Sequence, residues 1–156
     1  MSIKIISGAI TDVDSAEAVK HAEMYYEEIR HMTNDVEKIS KNTGFNVDSI
    51  RMVKNYLFIN EHELNGEIRR FDPYFPIAES WERMAIFPDE IKHHDITLLN
   101  HELTEIKYVS MGYSQEDAHI KASSFYNYSH ESLQYYESID KKQNKEEDID
   151  DSRSRY

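Results

Sequence analysis

The fold of this chain is decided by residues 95–111, DITLLNHELTEIKYVSM. Apolar residues recur there at helical spacing and form one face, which consists of Leu98, Leu99, Leu103, Ile106 and Val109. Glu102 lies near the middle of that face, where a carboxylate is costly unless a cation, a metal ion or a hydrogen-bond donor meets it. The stretch therefore predicts an amphipathic helix with an acid in a core position, and such an acid indicates a site of chemistry.

A histidine and a second glutamate flank this acid on the same helix. His101 and Glu105 lie four residues apart, about one helical turn, on one edge of the apolar face. The run His-Glu-Leu-Thr-Glu has the form of the zinc-peptidase motif with its second histidine replaced by glutamate, so both residues could bind one divalent metal ion. His119 would be the third ligand, and Glu102 would act as general base toward the attacking water.

Two other interpretations of Glu102 remain open. It could form a buried structural ion pair with an arginine, either Arg70 or Arg83. It could also belong to a metal-free acid/base site, because imidazole side chains that titrate near neutral pH occur next to glutamates in this chain. The catalytic residues of that site would be His101, Glu102, His62 and His119.

The segment 64–76 predicts a loop, because it contains Gly66 and a cluster of turn formers that ends at Pro76. Arg70 in this loop and Arg83 in the helix that follows could each clamp a phosphate or carboxylate group bidentately, which lysine does less well. Both arginines are therefore candidate substrate-binding residues.

Composition places the chain among single-domain globular proteins. It has 156 residues, 39% of them hydrophobic, and no cysteine, which leaves histidine and carboxylate as the strong metal ligands. The net charge of -12 lies on residues 1–140, because five basic and five acidic residues cancel in 141–156. This excess argues against a surface that holds nucleic acid by phosphate neutralisation alone. With no apolar run of membrane-spanning length and no secretory signal, we expect a cytoplasmic protein without a membrane segment.

We expect an all-α fold, a compact helical domain of about five or six helices. Residues 1–14 form an N-terminal lead-in with a candidate short strand over 3–10, residues 15–136 the single helical domain, and residues 137–156 a disordered charged tail. Helix starts are predicted near Ser15, Asn34, Asn46 and Pro76, at Asp89 or Asp95, and at Ser114. Gly44 and Gly112 are predicted to end helices.

Residues 36–53 also match the pattern of a helix-turn-helix, with Gly44 in the turn and residues 48–56 in the place of the recognition helix. This second helix offers Arg51 and Lys54 as its basic residues. A packed helical hairpin explains the same pattern, so DNA reading by this element is the minor alternative.

Six short sequence strings follow one another along the chain in an order that resembles that of a known module. They are Lys54-Asn55, Asn60-Glu61-His62-Glu63, Arg70-Phe71-Asp72-Pro73, Ile77-Ala78-x-x-Trp81-x-Arg83, Leu98-Leu99-x-His101-Glu102-x-x-Glu105 and Ala118-His119. Together they resemble a module found at the ends of phage head-morphogenesis (minor capsid) proteins and of bacterial polymorphic toxins. The resemblance covers about residues 36–128 and implies a small, mostly helical effector domain, a toxin-type hydrolase whose polar strings form one pocket.

We therefore expect a toxin-like hydrolase with a His/Glu acid-base or metal centre. Phosphodiester bonds are the candidate substrate, because paired imidazoles with an arginine suit that cleavage. Nucleic acid would then be the substrate, a divalent metal ion the candidate cofactor, and an antidote or inhibitor protein the partner. The alternative is a non-catalytic helical interaction protein or a helix-turn-helix DNA-binding regulator of a phage or mobile element.

Overall fold

The computed structural model describes the backbone of residues 10–154 and the side chains of residues 10–144. Seven α-helices and one small β-hairpin make up this described part. The helices are α1 Ala16–His31, α2 Asp35–Thr43, α3 Val47–Lys54, α4 Phe75–Ile86, α5 His93–Ser110, α6 Gln115–Phe125 and α7 Tyr128–Ser154. A π-helical turn, Asn55–Ile59, extends α3, and a 3-10 turn, Pro88–Glu90, follows α4. The expected all-α class is confirmed, and the number of helices exceeds the expectation because α7 follows α6.

Local capping signals explain where several helices begin and end. Ser15, Asn46 and Ser114 each precede a helix and accept a backbone N–H of its first turn at 2.7 to 3.1 Å. Gly44 ends α2 with φ at 81°, in the left-handed region that glycine adopts without steric cost. These helix boundaries follow the predictions from the sequence.

The core is built around the aromatic side chain of Trp81, which is fully buried on α4. Its ring contacts Phe58 edge to face, with ring centroids 5.1 Å apart, and Phe58 contacts Tyr26 in the same way at 4.7 Å. Leu98 and Leu99 of α5 are fully buried in the same cluster. Helices α1, α4 and α5 therefore share one apolar core.

Along its C-terminal half, helix α5 buries the polar residues of the predicted face more completely than the apolar ones. Leu103 is only partly buried there, and Val109 is 37% exposed. The buried positions of this half are instead polar, namely His101, Glu102 and Glu105. The predicted burial of Glu102 is confirmed, whereas the apolar residues beyond Leu99 are less buried than their spacing predicted.

An ion pair fixes the start of α5 against α4. Arg83 of α4 donates from Nε and Nη2 to the two carboxylate oxygens of Asp95, at 2.9 and 2.8 Å, and both residues are buried. Burial lowers the pKa of His94 to about 4, so its ring is neutral and Nε2 accepts from Arg83 at 3.1 Å. The ring of Tyr135 on α7 lies 5.5 Å from the guanidinium. This cluster joins α4, α5 and α7.

A β-hairpin occupies part of the segment that was predicted to be a loop. Its strands β1, His62–Leu64, and β2, Glu67–Arg69, pair antiparallel, with Glu63 opposite Ile68. The two turn residues, Asn65 and Gly66, have φ at 53° and 84°, as a two-residue type I′ turn requires. The loop prediction was wrong for 64–69, and the Asn-Gly pair was the signal for the hairpin.

The two ends of the chain differ from the sequence expectation in separate ways. Ile10 and Val13 are buried in the core, so the end of the predicted lead-in belongs to the domain. The candidate strand over 3–10 lies outside the described residues except for Ile10, which is not in a strand. Helix α7 continues through 137–154, where a disordered tail was expected; it contains no glycine or proline, and Tyr136 anchors it in the core. None of the helices in the described part of the chain combines the length and apolarity of a membrane crossing.

Candidate metal centre

The candidate site lies between α5 and α6, which pack closely along their lengths. Ala118 and Ala122 of α6 are fully buried at this contact, and their small side chains let the two helix backbones approach. The approach brings His119 of α6 next to His101 and Glu105 of α5. The site is therefore created by helix packing around two alanines.

Three side-chain atoms from these helices converge on one point. Oε1 of Glu105 lies 2.8 Å from Nδ1 of His119 and 3.3 Å from Nε2 of His101. The two histidine nitrogens lie 3.3 Å from each other. Among the described residues, these three form a group that could hold a metal ion.

The protonation of His101 is fixed by the other side of its ring. Nδ1 lies 2.9 Å from the backbone carbonyl oxygen of Tyr126, and a carbonyl can only accept a hydrogen bond. Nδ1 therefore carries a proton, and Nε2 faces the Glu105 carboxylate, which can only accept. Either a second proton on the ring, donated to Glu105, or a metal cation must lie between these two atoms. A carbonyl that orients the far nitrogen is the usual support of a metal-binding histidine.

The spacing of the three atoms fits a tetrahedral metal ion. Metal–ligand bonds of about 2.05 Å in tetrahedral geometry separate neighbouring ligand atoms by about 3.3 Å. Two of the three observed separations have this value, and the 2.8 Å separation between Glu105 and His119 would widen by about half an ångström. Two histidines and one glutamate also form a common ligand set of catalytic zinc sites, which keep the fourth position open.

The environment of Glu105 favours its charged form. Burial by itself would raise the pKa of this carboxyl, but hydrogen bonds from His101, His119 and Tyr56 lower the pKa to about 2. The hydrogen bond with Glu105 in turn raises the pKa of His119 above its ordinary value of 6.5, against the opposing effect of burial. Glu105 is thus an anion at neutral pH, as a metal ligand must be.

Glu102 is buried beside this cluster and has the opposite environment. It is 5% exposed, and its Oε2 atom has no hydrogen-bond partner among the described residues. Burial, together with the negative charge of Glu105, raises the pKa of Glu102 well above 4.5. A raised pKa makes this carboxylate a stronger base than an ordinary glutamate, as a group that takes up a proton during a reaction needs to be.

The structural ion pair that the sequence left open for Glu102 is absent from the described part of the structure. Arg83 is engaged by Asp95, and Nε of Arg70 donates to the backbone carbonyl of Ile59 at 3.2 Å. Neither arginine lines the two cavities next to the cluster. The prediction that one of them neutralises Glu102 was therefore wrong, because Asp95 is the closer carboxylate to Arg83.

One cavity lies at the cluster and a second lies beside the first. The inner cavity, of about 210 Å³, is lined by Glu102, Glu105 and His119 together with apolar side chains such as Leu57 and Phe71. The hairpin groove, of about 690 Å³, runs between β1 and the start of α6 and is lined by Tyr56 and His62. Gln115 lines both cavities, so they adjoin. The groove therefore lies next to the inner cavity, which Glu105 and His119 of the cluster line.

Tyr56 connects the groove to the cluster, and the sequence did not single it out as a site residue. Its hydroxyl donates a hydrogen bond to Oε2 of Glu105, the oxygen that faces away from the histidines. The residue lies in the π-helical turn after α3, where its spacing resembles that of an ordinary core position. Only the tertiary contact with α5 reveals its role, which is to orient the Glu105 carboxylate.

His62 lies near the cluster without joining it. Its Nε2 donates to the backbone carbonyl of Tyr56 at 2.7 Å, and its ring stacks on Phe71 with centroids 4.2 Å apart. The structure therefore brings His101, Glu102, Glu105 and His119 together and places His62 at the wall of the hairpin groove. Its predicted role as a proton carrier stays a prediction.

The helix-turn-helix pattern corresponds to the packed pair α2 and α3. Arg51 forms an exposed ion pair with Glu37 at 3.2 Å. Lys54 is only 8% exposed, and its ammonium group donates to Asp35, which also accepts from Trp81. One of the two basic residues predicted for the recognition helix is thus held in the interior.

Comparisons with protein-family models, curated proteins and solved structures found no match to this chain. The functional inference therefore depends on the geometry of the cluster and its cavities, and the resemblance to a phage and toxin module depends on the sequence strings alone.

Proposed function

We propose that the protein is a toxin-like hydrolase that binds one divalent metal ion through His101, Glu105 and His119. The convergence of two imidazole nitrogens and one carboxylate oxygen within 3.3 Å supports this proposal most directly. The donor set suits zinc, and a bound metal would supply Lewis-acid polarisation of the scissile group.

Glu102 is the general base of the proposed reaction. Its buried carboxyl has a raised pKa and faces the inner cavity beside the ligands, where the attacking water and the substrate would meet. It would take a proton from the water and return it to the leaving group. The unpartnered Oε2 atom supports this role, because a structural carboxylate in the interior is normally hydrogen-bonded.

The expectation of a phosphodiester substrate has less support from this site than the hydrolase itself. It relied on Arg70 or Arg83 as the clamp for the phosphate, and both arginines bind elsewhere. The expectations of a cytoplasmic location and of an inhibitor protein as partner remain part of the proposal, and both come from the sequence.

Titration with zinc tests the metal site directly. Isothermal calorimetry of the purified chain should show one zinc ion per molecule, and the variants Glu105→Gln and His119→Ala should lose this binding. Loss of one of three ligands is expected to lower the affinity by at least a hundredfold. The control is His31→Ala, whose imidazole on α1 is 75% exposed and bonds only within its own helix.

The zinc titration has two distinguishable outcomes. A single zinc site that disappears in both ligand variants and persists in the control supports the proposal. Zinc binding that is equally strong in wild type, Glu105→Gln and His119→Ala would show that the ion binds elsewhere, and the proposed centre would then be rejected.

A further inference from the structure

The charges that line the two cavities point to the class of substrate. Among the described residues that line the hairpin groove and the inner cavity, none is lysine or arginine. The groove carries Glu63 and Glu116, both exposed and without an ion-pair partner in the described part of the chain. In the inner cavity Asp72 is offset by Arg69 at 3.0 Å and Glu105 by the imidazole of His119 at 2.8 Å, so the uncompensated charge lies in the groove. A polyanion would therefore be repelled along its path to the cluster, whereas a neutral or basic chain would be attracted.

The groove also presents an unpaired strand edge. In a hairpin with a two-residue turn, the residues next to the turn form a hydrogen-bonded pair, and the next pair does not. Leu64 and Glu67 are the first pair and Glu63 and Ile68 the second, so the N–H and C=O of Glu63 point away from β2. Glu63 lines the groove, whereas Ile68 does not. The groove therefore lies on the β1 side of the hairpin, where the outer edge is unpaired, and not on the β2 side.

We propose that the substrate is a polypeptide of neutral or basic character, which binds in extended form along the free edge of β1 and is cleaved at the cluster. This inference rests on the proposed hydrolase and adds the substrate class. Strand addition supplies backbone hydrogen bonds independent of the peptide sequence, and Glu63 and Glu116 supply the preference for basic side chains. Tyr56 and Gln115, which line the groove next to the cluster, mark the path from the edge to the ligands.

The reaction is the hydrolysis of one peptide bond. The oxygen of a water molecule forms a bond with the carbonyl carbon, and Glu102 accepts the proton that the water releases. The carbon–nitrogen bond then breaks, and the leaving nitrogen takes this proton from Glu102. The products are a carboxylic acid and an amine, and no oxidant or other co-reactant is needed.

Binding is measured with the Glu102→Gln variant in the presence of zinc, so that the probe is not consumed. The probes are two fluorescent peptides of about ten residues, one rich in lysine and one in which glutamate replaces lysine, and a thymidine oligonucleotide of the same length. The lysine peptide should bind at least tenfold more tightly than either anionic probe, as judged by fluorescence anisotropy. Binding of the oligonucleotide that equals or exceeds that of the lysine peptide would overturn the proposal.

Two proline variants at opposite positions of the hairpin test the strand edge. Glu63→Pro removes the N–H on the unpaired edge of β1, and Ile68→Pro removes the matching N–H on the outer edge of β2. Neither N–H donates a hydrogen bond to the other strand, so the two substitutions should destabilise the hairpin to a similar extent. Relative to Glu63→Gln, which lacks the same carboxylate but keeps the N–H, Glu63→Pro should weaken binding of the lysine peptide about tenfold, the effect of one lost hydrogen bond. Relative to the wild type, Ile68→Pro should not weaken it. Equal loss in both variants would overturn the proposal.

If circular dichroism shows that Glu63→Pro is unfolded, a second variant, Glu63→Lys, tests the role of the groove in its place. Glu63→Lys should weaken binding of the lysine peptide and strengthen binding of the glutamate peptide. An unchanged order of the two affinities would count against peptide binding in the hairpin groove.

Mass spectrometry of the lysine peptide after incubation with the zinc-loaded wild type should show new chain ends. A protein that binds zinc at the cluster and hydrolyses a small phosphodiester or ester but cleaves no peptide would retain the proposed function and refute this substrate class.

Discussion

Glu102 and Glu105 lie three positions apart on one face of α5, and the structure displaces the pKa values of their side chains in opposite directions. Hydrogen bonds from two histidines and a tyrosine lower the pKa of Glu105 to about 2, although burial opposes them. Glu102 is buried without a partner for Oε2, and its pKa lies well above 4.5. Two carboxyl groups with separated pKa values can take separate roles, one as a permanent anion and one as a proton carrier. Ligand and base thus occupy neighbouring positions on one helix.

The exchange Glu102→Gln should separate catalysis from stability. Loss of the general base is expected to lower the rate of hydrolysis by about a hundredfold or more, while zinc affinity changes little. The same exchange should stabilise the metal-free protein near pH 8 by about 1–3 kcal/mol, because a buried carboxylate is replaced by a neutral amide. A raised native pKa makes the wild type lose stability as the pH rises above 4.5, so the difference between the two proteins should grow from about pH 5 to about pH 8. The free energies of unfolding of the two proteins in urea, measured at both pH values, give this difference.

The control for this prediction is Glu116→Gln, which removes an exposed carboxylate at the groove and leaves the cluster intact. Its stability should follow that of the wild type at both pH values. A Glu102→Gln protein that is less stable than the wild type near pH 8 would show that the carboxylate has an unrecognised partner.

The His119–Glu105 contact should make the stability of the metal-free protein depend on pH in a defined window. The pKa of His119 is raised above 6.5, so its contribution is complete below that value and is lost as the pH rises through the native pKa. The pKa of Glu105 is lowered to about 2, so its contribution is complete above 4.5 and is lost as the pH falls toward 2. The contact is therefore most stabilising between pH 4.5 and 6.5.

We expect His119→Gln to reduce the decline in stability between about pH 6 and pH 9, as thermal unfolding would show. Because the side chain of His119 is 54% exposed, its share should stay below about 1 kcal/mol. Glu102 contributes the remainder of the decline, in the same direction. A decline identical to that of the wild type would contradict the assigned role of His119.

Tyr56→Phe should weaken metal binding although Tyr56 is not a ligand. The hydroxyl holds the Oε2 atom of Glu105, so its removal leaves the carboxylate free to rotate and raises the pKa of Glu105. Loss of such an orienting contact is expected to lower zinc affinity about tenfold, as measured by calorimetry. Tyr113→Phe is the matched control, because Tyr113 lines the groove and is 38% exposed. Equal zinc affinity in Tyr56→Phe and wild type would leave Tyr56 with a structural role only.

Asp95→Ala should destabilise the fold more than any change at an exposed ion pair. It leaves the Arg83 guanidinium buried without its anion, and it removes the acceptor of the Lys92 N–H at the start of α5. The expected loss is about 3–5 kcal/mol in urea unfolding. The control is Glu37→Ala, which breaks the exposed pair with Arg51 and should cost less than about 1 kcal/mol. A loss of similar size in both variants would mean that the Arg83–Asp95 pair does not hold α4 and α5 together.

Local sequence signals were sufficient for helices α1 to α6 and for the burial of Glu102. N-cap residues such as Ser15 and Ser114, and Gly44 at the end of α2, act within one helical turn, so their effect can be recognised without knowledge of the fold. The spacing around Glu102 placed it correctly in the interior. The same kind of signal, Asn65-Gly66, was present for the hairpin, although the turn formers in 64–76 were interpreted as a loop.

The residues that pair with the buried charged groups could not be predicted from local sequence signals. From the sequence, Arg83 was a candidate partner of Glu102, but the packing of α4 against α5 brings Arg83 to Asp95. Tyr56 lies 49 positions from the glutamate that it orients, and its own spacing is that of a core residue. Contacts over such separations depend on how helices pack, which the periodicity of one segment does not specify.

The sequence by itself determined that the chain is helical and that α5 carries two acids and a histidine on a protected face, because these properties follow from the spacing of side chains about one axis. The tertiary structure decided that His119 meets His101 and Glu105 and that Glu102 remains without an arginine. The physical reason is that α5 and α6 approach over the fully buried Ala118 and Ala122, and this approach sets the distances between atoms on different helices.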